Sequence, residues 1–496
     1  MRLERLEAIV DRSGIAPRIE AMLPVGARRR QLSVRTLLLG MLAVACDGRP
    51  AHLSRVHRAL TSLPETEQWQ LGVLAEWKSG PHELTYRQVE RTFSLVSRAL
   101  GKEKPDGEPS EELSKIVDAL LEASVEVCGD PETSSYAVDW TDLETFSCPP
   151  PKGSERCADP EASWGHRRGN SPGERDETFY GYYLQVVTAV KEERGPAVAE
   201  LVRRIGLAGC KVDPPAALVP VLERMAGAGI GIGDVLADSG YAHRVAETWA
   251  LPVRRLGASL VQDLHPHDRG PKGTHLGATV ANGALYCPAT PAALLELGPP
   301  ARGATEAETA AHDAKATELR RYRLAPLTGY DADGYRRVGC PAVQGKLRCP
   351  LRPESMALDH TRPEVLTPPE HPPTCCSQRT ITVPPEVNAK TAQKHDYPSP
   401  EHRRSYARRS AAERAYATVK DPASNDLSRG WCRVTGLAPI ALFAATVFVA
   451  RNLRVVEAFA AREAEDERRA ADGLPPKRRR RRRTTADLIG AANAPP

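Results

Sequence analysis

Apolar positions in the first hundred residues recur at helical spacing. Residues 33–46 (SVRTLLLGMLAVAC) are apolar on most faces, which predicts a buried helix ending near Asp47-Gly48. Residues 85–100 (TYRQVERTFSLVSRAL) open with Thr85 three places before Gln88, a capping-box pair. Val89, Phe93, Val96 and Leu100 then share one face, leaving Arg87, Arg91 and Arg98 to solvent or to a polyanion. A charged, Gly/Pro-containing linker is expected over 102–114. Strand-like material begins near Ser134 (SSYAVDW) and returns over 179–190 (FYGYYLQVVTAV) and 197–205. A helix over 214–225, a short strand over 234–237 (DVLA) and a further strand within 253–262 follow. That order predicts a mixed α/β sheet behind an N-terminal helical domain.

From about residue 265 to 398 the pattern changes. Ala281-Asn282-Gly283-Ala284 is a hairpin signal between short apolar runs, and 305–323 reads as a helix. Nine prolines fall between Pro363 and Pro400, so most of that stretch must be loop or edge strand. These shifts divide the chain into a helical, DNA-end-binding region (1–130), the first part of a sheet domain (131–264), an inserted β-rich module (265–398), the second part of the sheet domain (399–460), and a charged, disordered tail (461–496).

Composition narrows the class. The chain has 496 residues, 68 Lys and Arg against 63 Asp and Glu, and 41% hydrophobic content. Its mean hydropathy is −0.41. The longest apolar run, 436–450, is too short to span a bilayer, and the N-terminus lacks the apolar core of a signal peptide. Eleven cysteines, an odd number, argue for reduced thiols rather than a disulfide framework. A secreted scaffold, a fibre and a transporter are excluded, and a cytoplasmic multidomain protein is expected. The net charge of +5 hides an unbroken basic run at 477–483 (KRRRRRR), whose natural partner is nucleic acid.

The segment carrying the most chemistry is 399–420 (SPEHRRSYARRSAAERAYATVK). Ser399 can cap a helix, Pro400 suits its first position, and Asp421-Pro422 stops it. On one continuous helix, Tyr406, Arg409, Glu413 and Lys420 project within roughly 60° of one another. Residues 402–420 hold six Arg or Lys against one acid, Glu413. A lone carboxylate among cations suits phosphodiester chemistry: the carboxylate holds a divalent metal and the cations neutralise phosphates. Hard oxygen ligands favour Mg²⁺ or Mn²⁺. Partner carboxylates must come from elsewhere, and Asp139 and Asp238, each at the end of an expected strand, are the candidates. Asp142 and Glu144 compete with Asp139, and an Asp at a strand end is also an ordinary turn or helix cap.

Tyr406, Arg409, Glu413 and Lys420 reproduce the spacing of the YREK signature, so the chain resembles bacterial insertion-sequence transposases of the DDE type. Asp139-Trp140-Thr141 and Asp238-Ser239-Gly240-Tyr241 are similar to the two earlier blocks of that family, in the same order. The resemblance implies a ribonuclease-H-like fold with a β-rich insertion. Asp139, Asp238 and Glu413 would bind two Mg²⁺ (or Mn²⁺) ions and carry strand cleavage and transfer. Tyr406, Arg409 and Lys420 would contact phosphates at the transposon end. Double-stranded DNA at element ends and at the target would be the partner, with a homodimer acting in the nucleoid. The insertion has no tryptophan, so a hairpin intermediate is not expected. The rival readings are a non-catalytic DNA-binding protein derived from a transposase, and a related metal-dependent nuclease.

Five cysteines crowd the insertion: Cys287, Cys340, Cys349, Cys375 and Cys376. A thiolate Zn²⁺ site would stabilise such a module, but the usual spacing of two intervening residues is missing. Reduced buried thiols are therefore the default expectation, and structural zinc is not favoured.

Overall fold

Helices dominate the first quarter of the chain. The computed structural model describes residues 3–25, 30–77, 80–103, 106–152, 156–167, 176–301, 303–331 and 333–477. It opens with α1 (Leu3–Ser13), α2 (Ile15–Met22), α3 (Val34–Cys46), α4 (Leu53–Thr61) and α5 (Glu65–Gln70). A hairpin of β1 (Leu74–Trp77) and β2 (Gly80–Glu83) leads to α6 (Tyr86–Leu100) and α7 (Glu111–Cys128). Ser33 caps α3, and Thr85 and Gln88 form the capping box of α6. Arg87, Arg91 and Arg98 are exposed. The linker expected over 102–114 runs into α7, which Ser110 caps. Charged residues in its first turn disguise an apolar stripe (Leu113, Ile116, Val117, Leu120, Leu121) that is buried.

The main sheet contains β3 (Ser135–Glu144), β4 (Ser163–Arg167), β5 (Glu177–Val190), β6 (Val202–Gly209), β7 (Asp234–Ala237) and β8 (Ser259–Gln262). Between them lie α8 (Pro214–Gly227), α9 (Ser239–Ala242) and α10 (Ala250–Arg255). β5 pairs antiparallel with β3 on one edge and with β4 and β6 on the other. β7 runs parallel to β3, and β8 parallel to β7. The order is thus β6-β5-β3-β7-β8, in a mixed α/β architecture. The strand expected within 253–262 is only β8, because Val253 belongs to α10 and Gly257 turns the chain at φ +82°.

The insertion builds two small antiparallel sheets. The first holds β9 (Pro271–His275), β10 (Ala278–Ala281) and β11 (Ala284–Tyr286). Asn282 and Gly283 make its tight turn, both at positive φ, and a Cβ on Gly283 would stand 2.0 Å from the Thr391 carbonyl oxygen. After α11 (Ala292–Leu295) and α12 (Glu306–Tyr322) come β12 (Ala325–Pro326), β13 (Arg336–Gly339), α13 (Pro353–Met356), α14 (Thr374–Ser377) and β14 (Thr380–Val383). β12, β13 and β14 form the second sheet. The module encloses a core of its own, from Ala278 to Val383.

The chain returns through α15 (Pro400–Tyr406), a 3-10 turn (Ala407–Arg409), α16 (Ser410–Val419) and α17 (Leu437–Ala471). The helix expected to run unbroken over 399–420 is therefore interrupted, and its side chains do not follow a single helical wheel. At the interruption Arg408 turns inward to a buried carboxylate, Asp234, at the start of β7.

α17 changes two further expectations. It extends to Ala471, so residues 461–471 are helical rather than a disordered tail. By length and composition it could cross a membrane, but 78% of its most apolar window is buried inside the fold, so it is a core helix. Its first half is apolar all round because α3, α6, α7, α16 and β6 all pack against it. The N-terminal helices consequently share one core with a face of the sheet rather than standing apart. Of the basic run, Lys477 is described; 478–496 lie outside the described residues.

Candidate active site

Sheet register brings two of the aspartates together. Ser135, Tyr136 and Ala137 of β3 pair with Asp234, Val235 and Leu236 of β7. Two residues beyond the last pair, the same register sets Asp139 beside Asp238. Side chains alternate along a strand, so both carboxylates share the face of Ala137 and Leu236, which lie in the core layer with α16 and α17. Tyr416 of α16 locks this face: its hydroxyl is 2.9 Å from the Asp139 carbonyl oxygen and 2.8 Å from that of Leu184.

Arg409 connects the third carboxylate. Its Nη1 lies 3.5 Å from Asp139 Oδ2, while its Nη2 donates to Glu413 Oε1. Each aspartate spends one oxygen on backbone. Asp139 Oδ1 accepts from the Trp140 amide at 2.9 Å, and Asp238 Oδ1 from the Gly240 amide at 2.9 Å. Asp238 thus caps α9 as well as facing the cluster. Gly240 is required by a close approach, since a Cβ there would stand 2.6 Å from the Trp140 ring.

The electrostatics follow from this crowding. Burial, then the charge of Asp238, pushes the Asp139 carboxyl up to about 7 against the pull of Arg409. Burial raises Asp238 too, opposed by Arg409 and by its two backbone amides. Three carboxylates against one guanidinium leave a formal charge of −3 + 1 = −2 when all are ionised. These oxygen donors are of the type a hard divalent cation takes. The three carboxylates do not all come within 4.8 Å of one another, because Arg409 stands between Asp139 and Glu413.

The raised Asp139 value has a stability consequence. Its native carboxyl binds a proton more tightly than the unfolded one, so stability falls as pH rises from about 4 through 7. Asp139→Asn removes the titration. Its stability relative to wild type should improve by about 2–3 kcal/mol between pH 5 and pH 8 in chelator. Urea unfolding at the two pH values measures this, and a pH-independent difference would contradict the buried, repelled carboxyl.

Of the remaining signature residues, Tyr406 lies beneath Arg409, whose guanidinium carbon is 5.5 Å from the ring centroid. Lys420 does not join that group. Its Nζ is 2.7 Å from Thr141 Oγ1 and 3.3 Å from Asp142 Oδ1, two to three residues further along β3. Burial would raise Asp142, but Lys420 and Arg167 hold it below the usual carboxylate range. Asp142 and Glu144 both pair with Arg167, at 2.6 and 2.8 Å, rather than with Arg409.

Several residues escaped the sequence reading. Arg408 and Tyr416 support the cluster, and only the position of Arg408 next to Arg409 could have drawn attention to it. His243, His265 and Asp268 place one ligand atom each within 4.8 Å of one another, on the segments following β7 and β8. No sequence spacing signals that group, and Asp268 is paired with Lys390 at 2.8 Å. Among the insertion cysteines, Cys287, Cys340, Cys349 and Cys376 line one cavity, while Cys375 is buried beside it. No protein-family model matches the chain, and no curated protein matches it.

Proposed function

We propose that this chain is a DDE-type insertion-sequence transposase with Asp139, Asp238 and Glu413 at its reactive centre. The observation that carries the reading is the β3–β7 register that pairs Asp139 with Asp238, with Arg409 reaching both Asp139 and Glu413. A ribonuclease-H-like fold is inferred with it. The support is the order β6-β5-β3-β7-β8, with β5 reversed among them and the helix bearing Glu413 on the carboxylate face.

Asp139, Asp238 and Glu413 would hold two Mg²⁺ (or Mn²⁺) ions, which when bound supply Lewis-acid activation of the attacking and leaving oxygens. Water attacks a phosphorus at the element end and the P–O3′ bond breaks, leaving a 3′-hydroxyl and a 5′-phosphate. That hydroxyl then attacks a target phosphodiester and displaces the target 3′-oxygen. The protein's own residues orient these groups. The walls around Asp139 and Asp238 restrict water, and the ring of Tyr406 fixes the plane of Arg409. Arg409 is placed to exchange its carboxylate contacts for phosphate oxygens, and Lys420 offers a second cation along β3. The exposed arginines of α6 extend the surface toward duplex DNA. Cutting two ends calls for a homodimer, working on the nucleoid in a bacterial cytoplasm.

The test starts from the DNA on either side of the gene: a duplex carrying any short inverted repeats found there is incubated with purified chain in Mg²⁺. The expected result is nicking at the repeats with a free 3′-hydroxyl, followed by joining to target DNA, and none of either in chelator. Binding without cleavage would leave the DNA-binding reading standing, and cleavage without joining the nuclease reading.

The basic run makes a separate prediction. Deleting residues 477–496 removes seven cations with no aromatic or amide side chain among them. Affinity for any duplex should fall and the salt slope decrease by up to about six, while preference for element ends survives. Affinities for end and random duplexes across a salt series decide it. Loss of the preference with an unchanged slope would refute the division.

A further inference from the structure

We propose that Cys287, Cys340, Cys349 and Cys376 form a structural Zn²⁺ site that ties the inserted module together. They come from four separate places: just after β11, just after β13, the following loop, and α14. All four nevertheless line one cavity of about 10 Å³. That is room for roughly one small sphere, the space of a single bound atom. Four cysteines around such a space supply the donor types of a structural zinc site, and soft thiolates select zinc over magnesium. No three of their sulfurs lie within 4.8 Å of one another, so binding the metal draws them inward.

The backbone at two of these cysteines supplies an independent sign. In Cys287-Pro288-Ala289-Thr290, the Thr290 amide donates to the Cys287 carbonyl oxygen at 3.0 Å, and the Ala289 amide faces the Cys287 sulfur. In Cys349-Pro350-Leu351-Arg352, the Arg352 amide donates to the Cys349 carbonyl oxygen at 2.8 Å, and the Leu351 amide faces the Cys349 sulfur. The same turn is thus built twice around one cavity. Proline presets its second residue and brings no amide of its own, so the next amide is free to turn toward the sulfur. Burial pushes both thiols up, Cys287 to about 12, and the nearby amide works against it in favour of the thiolate, the form that binds metal. At Cys340-Pro341 a longer turn does the positioning, with the Gln344 amide 3.0 Å from the Cys340 carbonyl oxygen.

Charge and stability agree with this set. Four thiolates and one Zn²⁺ carry a net −2, and each thiol gives up its proton to solvent on binding. Arg352 lines the cavity and is held there by bonds of 2.7 Å from its Nη2 to the carbonyl oxygens of Cys376 and Gln378. Cys375 lies outside the set. A Cβ on Gly277 would stand 3.6 Å from its sulfur, so it packs toward that turn. Strands of two to five residues make a small core, and a metal crosslink offsets that deficit.

The experiment uses the full chain without a metal-binding tag and reads metal content, not DNA cleavage, so it stands apart from the transposase reading. Purified protein should contain about one zinc per chain by elemental analysis, released in step with mercurial titration of the thiols. Cys340→Ser and Cys349→Ser should lose the zinc, whereas Cys148→Ser and Cys157→Ser should keep it. If the first two variants fail to fold, cobalt exchange into the wild-type protein decides: tetrahedral d–d bands with sulfur-to-cobalt charge transfer are expected. Wild-type protein without stoichiometric zinc would overturn the proposal. So would zinc that survives Cys340→Ser and gives no sulfur signature in the cobalt form, the behaviour of a site at His243, His265 and Asp268.

Discussion

Glu413→Gln should abolish strand cleavage in Mg²⁺ while leaving binding to element ends intact. The substitution keeps the length of the side chain and its acceptor oxygen for Arg409, and removes only the negative charge. With Asp139 and Asp238 alone, the cluster captures a divalent cation less well, and the developing charge on the leaving oxygen loses its stabilisation. The rate should fall by at least about 10²–10³-fold, the range lost when one preorganised stabilising group is removed. Fold stability should change by less than about 0.5 kcal/mol, because the Glu413 side chain is 56% exposed. A gel shift beside a nicking assay separates binding from chemistry. Retained nicking would remove Glu413 from the reaction.

Arg408→Ala should destabilise the fold by about 3–5 kcal/mol, although Arg408 belongs to no recognised motif. Its side chain is 5% exposed and its Nη2 lies 2.8 Å from Asp234 Oδ2, itself on a side chain 4% exposed. The guanidinium also bonds the Ser405 carbonyl oxygen at 3.1 Å, Ser405 Oγ at 2.7 Å, the Lys191 carbonyl oxygen at 3.1 Å and Ser135 Oγ at 3.2 Å. One side chain therefore ties the turn before α16 to the starts of β3 and β7 and to the end of β5. Truncation leaves several of these buried acceptors without a partner. Lys394 still pairs with Asp234 at 2.7 Å, which keeps the loss toward the lower end of the range. Because Arg409 is the next residue, the variant should also lose cleavage under conditions where it remains folded. Chemical denaturation measures the first effect, and a cost under about 1 kcal/mol would mean that the network is dispensable.

Much of this protein is legible residue by residue. Thr85 and Gln88, the apolar stripe of α6, the Asn282-Gly283 turn and the cap at Thr305 depend on contacts within a few positions, so local pattern is enough to find them. α7 was hidden because its charged first turn reads as linker, and its stripe acquires meaning only against α1 and α17. The break at 407–409 could not be read either, since the helical signal of that segment is continuous. At the interruption Arg408 pairs with Asp234, which is distant in the chain.

The candidate site divides along the same line. Residue type and expected strand-end position single out Asp139 and Asp238, although only Asp238 follows a strand end and Asp139 lies inside β3, which pairs with β5 as far as Glu144. Spacing singles out Arg409 and Glu413. The meeting of the two aspartates rests on the β3–β7 register, and the isolation of Lys420 beside Asp142 rests on the rise of α16, which sets it roughly 10 Å along the helix from Glu413. The cysteines make the contrast sharpest. Their linear spacing argues against a metal, yet four of them meet around one cavity. Local rules determine which side chains are available and which backbone turns present them. Pairing between distant strands and the burial of charge decide which of them meet, because those energies exist only once the chain has closed on itself.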